Sequence, residues 1–99
     1  MNKIHTLIKR IKPEAKLPVY ATDGSAGFDL ELLEDVWLPA GKIAMVSTGL
    51  SVAVPSGYCL LLQPRSSAGT KHDIRLANTT GVIDSDYRGE LICALHNYG

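Results

Sequence analysis

The chain has 99 residues, 45% of them hydrophobic and 20% charged, and its formal net charge at pH 7 is +0. This composition is typical of one globular domain, taken as residues 1–99, and excludes a disordered chain. The balanced charge argues against direct nucleic-acid binding, and apolar runs far shorter than the roughly 18 residues that cross a bilayer argue against a membrane segment.

The N-terminal segment is basic but lacks a following apolar region, so it is not a secretory signal. Its apolar residues Ile4, Leu7, Ile8 and Ile11 have helical spacing. Pro13 would end a helix there and the segment is short, so we predict a strand instead.

Turn signals at Pro39-Ala40-Gly41 and Pro55-Ser56-Gly57 divide the following part of the chain into short apolar runs. The unbroken apolar character of Tyr58–Gln63 indicates a strand buried on both faces. Many short strands and no convincing amphipathic helix predict an all-β fold, a sandwich or a barrel. The predicted strands are Val36–Leu38, Lys42–Thr48, Leu50–Val54, Tyr58–Gln63 and Glu90–His96.

Two cysteines, Cys59 and Cys93, lie in apolar runs without the spacing of a metal site. We predict that both are buried free thiols, which fits a reducing cytoplasm. Trp37 is expected in the core or at a subunit contact, and neither His72 nor His96 is given a role in a site.

Two polar stretches interrupt the strand pattern in the first two thirds of the chain. In the first, Asp29 lies between Phe28 and Leu30 at the start of a predicted strand and points to the opposite face; alone, it could be a surface carboxylate. In the second, Gln63–Gly69, an arginine and two hydroxyls follow a strand and offer donors suited to phosphate. The spacing is not that of a P-loop, and an ordinary polar turn is an equal alternative.

The third polar stretch runs from Asn78 to Glu90, and Gly81 and Gly89 bracket a tight excursion within it. Asp84 follows two apolar β-branched residues, so it is expected at a strand end, where a fixed carboxylate can act as a general base toward water. Tyr87 could present a flat ring to a ligand. A polar hairpin with Asp84 and Asp86 as turn-forming residues is the alternative interpretation of the same stretch.

Taken together, the three stretches resemble a known family. Ala26–Leu30 (AGFDL), Pro64–Gly69 (PRSSAG) and Gly81–Glu90 (GVIDSDYRGE) are similar, in order and spacing, to the first three of five motifs of the homotrimeric dUTPase family. The resemblance implies a jelly-roll-like β-barrel of the β-clip type, a homotrimer with active sites between subunits, and Mg²⁺-assisted hydrolysis of dUTP to dUMP and pyrophosphate.

The resemblance also implies roles for individual residues. Asp84 would activate the water that attacks the α-phosphorus, and Tyr87 would stack on the deoxyribose and reject a ribose. Asp29 would hold Mg²⁺ through water. Uracil would be bound by Asn78, Val82, Ile83 and Ile92, and phosphate by Arg65, Ser66 and Ser67, the last standing where the family usually has glycine.

The end of the chain leaves an alternative open. Asn97-Tyr98-Gly99 resembles a hairpin turn whose second strand is missing, and the family's fourth and fifth motifs would lie beyond Gly99, so the domain is expected to be incomplete at its C-terminus. A truncated, non-catalytic nucleotide-binding or regulatory protein is therefore the alternative function. A dCTP deaminase is disfavoured because Leu91–Ala94 offers no catalytic glutamate.

Overall fold

The computed structural model describes residues 4–99, which form two antiparallel sheets. One sheet has the strand order β1-β2-β6-β4, and the other is a ribbon of β3 and β5. The described chain is therefore mostly β, as predicted, with two open sheets in place of a closed barrel. Its elements are β1 (Leu7–Arg10), β2 (Ile43–Ala53), β3 (Leu60–Leu62), α1 (Ser66–His72), β4 (Ile74–Leu76), β5 (Gly81–Ile83) and β6 (Glu90–Asn97).

The core lies between the two sheets. Val52, Val54 and Leu91 are buried, and partly buried apolar side chains from β1, β3, β5 and the segment before β2 pack against them. Burying one such side chain contributes about 1.5–3 kcal/mol, so this cluster fixes the ribbon to the larger sheet. The partly buried residues around it are Ile8, Leu30, Leu60 and Ile83.

The two strands predicted at Lys42–Thr48 and Leu50–Val54 form one strand, β2, with an irregularity in its middle. Its register against β6 shifts between Ser47 and Ser51, as at a β-bulge. The bulge does not end the strand, because the buried Thr48 hydroxyl donates to Leu91 O at 2.7 Å and replaces a ladder hydrogen bond.

At the N-terminus, the predicted strand is confirmed as β1. The predicted strand Val36–Leu38 is wrong, because this segment has no ladder partner in the described chain and Leu38 O accepts a bond from Asn97 Nδ2 at 2.9 Å. Trp37 is 87% exposed and does not belong to the core of this chain.

Burial of the segment Tyr58–Gln63 differs from the prediction as well. Only Leu60–Leu62 is strand, Leu61 is 58% exposed, and Cys59 is exposed. The ribbon has core on one face only within residues 4–99, so an apolar run does not mean burial on both faces here. Cys93 is buried, as predicted.

The short helix α1 was not predicted. Its residues are small and polar, which the sequence presents as turn signals, but Thr70 Oγ1 donates back to Ser66 O at 2.9 Å within the turn. The helix ends at Asp73, which has φ 55 and a backbone N–H directed to Ala68 O and Gly69 O. No helix of residues 4–99 has the length and apolar character needed to span a bilayer.

Candidate active site

The ribbon of β3 and β5 determines where several of the candidate site residues lie. The strands are antiparallel, with Leu62 opposite Gly81. Arg65 follows the end of β3, at the end of the ribbon where β5 begins, whereas Asp84 follows the end of β5. Arg65 and Asp84 therefore leave the ribbon at opposite ends.

The hairpin predicted around Asp84 is not present among residues 4–99. β4 pairs with β6, β5 with β3, and β6 with β2 and β4, so the connecting segments 77–80 and 84–89 each lead from one sheet to the other. The sequence spacing resembles that of a hairpin because the connections are short. In the structure, however, Ile83 of β5 and Leu60 of β3 both pack on the core cluster, and β5 pairs with β3 instead of with its chain neighbours β4 and β6. Asp84 does lie at a strand end, as predicted.

A tight turn carries Asp84 and Tyr87. The Tyr87 N–H donates to Asp84 O at 3.1 Å, and Arg88 Nη1 donates to Ser85 O at 2.7 Å and to Tyr87 O at 3.0 Å. The turn is joined to the sheet by Ser51 Oγ, which donates to Arg88 O at 2.7 Å. The exposed Asp84 carboxylate has no hydrogen bond or ion pair with residues 4–99, so it is free to bind water.

The ring of Tyr87 lies across the backbone of Gly89. Its hydroxyl donates to Glu90 O at 2.7 Å, and the side chain is 42% exposed. A Cβ at Gly89 would lie 2.6 Å from Tyr87 Oη, so the ring can occupy this position only because residue 89 has no side chain. The ring, although fixed at its hydroxyl, thus remains partly exposed to solvent.

The connection before β5 brings Asn78 to the start of that strand. Gly81 is buried, and a Cβ there would lie 3.7 Å from Asn78 Nδ2 and 3.1 Å from Leu62 Cβ. Next to it, Val82 is 58% exposed, while Ile83 packs on the core. The structure thereby presents the Asn78 amide and the β5 backbone side by side, and Ile92 stands on β6 with 43% exposure.

The second motif forms the start of α1. Arg65 is the N-cap residue, with φ −66 and ψ 149, and is exposed. Within the described chain, the side chains of Arg65, Ser66 and Ser67 make no hydrogen bond or ion pair. One guanidinium and two hydroxyls are therefore available together to an anion such as phosphate.

Asp29 lies at an isolated bridge rather than at the start of a regular strand. Its N–H donates to Val19 O at 3.0 Å, and its neighbour Leu30 packs on the core cluster. Asp29 and Asp84 are each adjacent to a member of that cluster. Residues 4–99 contain no group of three metal-ligating side chains, so neither aspartate belongs to a closed protein cage for a metal.

Several residues that shape this site were not singled out from the sequence. The side chains of Ser51 and Arg88 donate hydrogen bonds to backbone carbonyls of the turn, and the Glu90 carbonyl accepts one from Tyr87. Hydrogen bonds to backbone carbonyls have no sequence signature. Gly89 gave the one usable signal, as a glycine directly after a Tyr-Arg pair, but its purpose becomes clear only from the position of the Tyr87 ring.

A family model described as dUTPase matches residues 13–99. The deoxyuridine 5'-triphosphate nucleotidohydrolase of Wolinella succinogenes is 42% identical over 99 residues, covering 100% of this chain and 66% of that protein. The protein of the same name from Pseudomonas fluorescens SBW25 is 50% identical over 93 residues, covering 91% of this chain and 62% of the relative. The chain thus spans about two thirds or less of the length of these curated relatives.

Solved structures agree in fold. A mutant dUTPase from phage phi11 of S. aureus, solved with attention to a structural Mg(II) ion, has a TM-score of 0.88 and 28% identity, covering 96% of this chain and 61% of that one. A mutant dUTPase of Staphylococcus bacteriophage 80alpha with dUpNHpp has a TM-score of 0.89 and 29% identity, covering 96% and 55% respectively.

Proposed function

The chain belongs to the dUTPase family, as its three motifs predicted, and from that we propose that the protein carrying it hydrolyses dUTP to dUMP and pyrophosphate. The observation that carries the proposal is the turn on which an unpaired Asp84 carboxylate and the half-exposed Tyr87 ring stand three residues apart. A base and a ring platform on one rigid turn suit a reaction at the phosphate nearest a sugar.

In the proposed reaction, Asp84 orients a water molecule and accepts its proton as the oxygen attacks the α-phosphorus. The bond from that phosphorus to the bridging oxygen breaks, and pyrophosphate leaves with the electron pair. A carboxylate is a weak base at neutral pH, so most of the rate would come from positioning and from charge stabilisation of the phosphates. The hydrogen bonds of the turn support this, because they fix the backbone from which the Asp84 side chain extends.

Substrate selection is assigned to the residues around β5. Asn78 and the backbone of Val82 and Ile83 would bind the uracil edge, and Ile92 would line the same pocket. A site that hydrogen-bonds one base rejects another through unpaired polar groups. Tyr87 would stack on the deoxyribose, where a 2′-hydroxyl would collide with its ring.

Phosphate binding is assigned to Arg65, Ser66 and Ser67. Since Arg65 and Asp84 leave the ribbon at opposite ends, we propose that a complete site combines Asp84 of one subunit with Arg65 of another. A cytoplasmic homotrimer fits this arrangement, because closed symmetry gives every subunit both partners.

Asp29 is the proposed contact for Mg²⁺. Its side chain is half-buried and unpaired within residues 4–99, and no three-ligand cluster surrounds it. This donor set fits an ion that keeps several waters and takes its remaining ligands from substrate phosphates. Bound Mg²⁺ would offset negative charge on the triphosphate.

The test is Asp84→Asn, which keeps the size of the side chain and removes its charge. We expect dUTP turnover, measured as pyrophosphate release with Mg²⁺, to fall by at least about a hundredfold, and binding of a nonhydrolysable dUTP analogue to stay within a few fold. Asp35→Asn, a substitution of an exposed aspartate elsewhere, is the matched control and should leave turnover unchanged. Near-normal turnover in Asp84→Asn would refute the role of Asp84, and binding without turnover in the unsubstituted protein would favour a non-catalytic function.

A further inference from the structure

We propose that Arg88 is a positioning residue for this reaction, acting through the turn that carries Asp84 and Tyr87. The inference rests on the proposed function and adds to it a residue that touches neither substrate nor the reacting atoms. Its basis is a set of hydrogen bonds in which one guanidinium binds the backbone of the turn and the turn is attached to the sheet.

The guanidinium binds two carbonyl groups with one nitrogen atom. Arg88 Nη1 lies 2.7 Å from Ser85 O and 3.0 Å from Tyr87 O. Both carbonyls must therefore face the same point, which fixes the orientation of two peptide planes in the turn. Between them, the backbone bond from Tyr87 N to Asp84 O closes the turn at 3.1 Å. With three bonds made, the turn has little freedom to change where its side chains begin.

Arg88 is itself attached to the core. Its carbonyl accepts a bond from Ser51 Oγ at 2.7 Å, and Ser51, which is 4% exposed, stands opposite Glu90 in the pairing of β2 with β6. The Tyr87 hydroxyl donates to Glu90 O. The turn is thus held from both sides by the same region of the larger sheet, and the guanidinium links that support to Asp84.

Lysine would not reproduce this contact. Hydrogen bonds from a charged donor are about twice as strong as neutral ones, and the planar guanidinium directs its donors at fixed angles. An ammonium on a shorter, flexible stem can reach one carbonyl but does not hold two in a fixed relation.

The experiment compares Arg88→Gln, Arg88→Lys and Arg10→Gln in the whole protein. Arg10 is exposed on β1 and its side chain makes no hydrogen bond or ion pair with the described residues, so Arg10→Gln is the matched control. We expect kcat for dUTP to fall about ten- to a hundredfold in Arg88→Gln, since a misplacement of about 1 Å can have that effect. Arg88→Lys should be intermediate, and the preference for dUTP over UTP should fall in both, since Tyr87 moves with the turn.

Amide hydrogen exchange of Tyr87 in the same proteins reports on the turn without catalysis. Faster exchange in Arg88→Gln together with the kinetic losses, and with an unchanged melting temperature, supports the inference. Turnover and selectivity within about twofold of the unsubstituted protein would overturn it, as would unchanged exchange. If the unsubstituted protein does not hydrolyse dUTP, the proposed function is overturned and the positioning role with it. If the unsubstituted protein hydrolyses dUTP and Arg88→Gln does so equally well, the positioning role alone is overturned.

Discussion

At the scale of single residues, the ring of Tyr87 depends on the absence of a side chain at Gly89. A Cβ at this position would lie 2.6 Å from Oη and 2.8 Å from the Cζ atom of the ring. Neither distance is compatible with van der Waals contact, and the ring is anchored at its far end by Glu90 O. A methyl group at residue 89 must therefore displace the proposed sugar platform.

We accordingly expect Gly89→Ala to lower kcat/KM for dUTP by about tenfold or more and to reduce discrimination against UTP. Gly24→Ala is the control, because a Cβ at Gly24 meets no atom within 4 Å. Steady-state kinetics with both nucleotides measure the effect. Unchanged selectivity in Gly89→Ala would show that the ring does not contact the sugar.

The two cysteines lie in similar apolar runs of the sequence but differ in burial in the folded chain. Cys59 is exposed, and burial raises the pKa of the Cys93 thiol. The native protein therefore retains the Cys93 proton at pH values where the unfolded chain has lost it. That contribution to stability is complete below the unfolded thiol pKa of about 8.5 and decreases as the pH rises toward the native value.

Urea unfolding at pH 7.5 and at pH 9.5 tests this sign. The free energy of unfolding should decrease more with rising pH in the unsubstituted protein than in Cys93→Ala, which cannot lose that proton. Cys59→Ala should follow the unsubstituted protein. An equal decrease in Cys93→Ala would contradict the assignment.

At the scale of elements, the bulge in β2 depends on Gly49. This residue has φ +74, its N–H donates to Glu90 Oε2 at 2.9 Å, and Lys12 Nζ lies 3.5 Å from the same carboxylate oxygen. A Cβ here would lie 2.8 Å from Ala15 Cβ. The bulge therefore needs glycine for two separate reasons, its backbone conformation and its close contact with the segment after β1.

Gly57 separates these reasons, because it has φ +88 but a Cβ there would meet no atom within 4 Å. Gly57→Ala should cost about 1–2 kcal/mol for the backbone conformation alone. Gly49→Ala should cost about 1–3 kcal/mol more, because the added methyl overpacks the core side of the bulge. Urea unfolding of both variants measures the difference, and equal costs would exclude the close contact as a factor.

Sequence patterns predicted the long strands but not the short elements. Pro13 and the shortness of the N-terminal segment favour a strand at β1, and apolar runs indicate β2 and β6; each of the three pairs along most of its length. The three-residue strands β4 and β5 and the helix α1 are too short to show a period, and core contacts determine them. Val36–Leu38 failed as a strand for the opposite reason, since it has the composition but no partner in the described chain.

At the scale of the whole molecule, the three motifs nominate residues for the proposed site but do not indicate how one chain separates them. Asp84 and Tyr87 share a turn, whereas Arg65 leaves the ribbon at its other end. Motif order along a sequence contains no information about that separation, which results from antiparallel pairing of β3 with β5. The separation is the reason for placing the complete site between subunits.

Co-expression of Arg65→Ala with Asp84→Asn tests this central claim most directly. Each variant alone should hydrolyse dUTP very slowly. In mixed trimers of the proposed assembly, a site that takes intact Arg65 from one subunit and intact Asp84 from its neighbour should be active, so about a quarter of the unsubstituted activity should return. Activity no higher than the sum of the two separate variants, in trimers shown to contain both chains, would contradict a site shared between subunits.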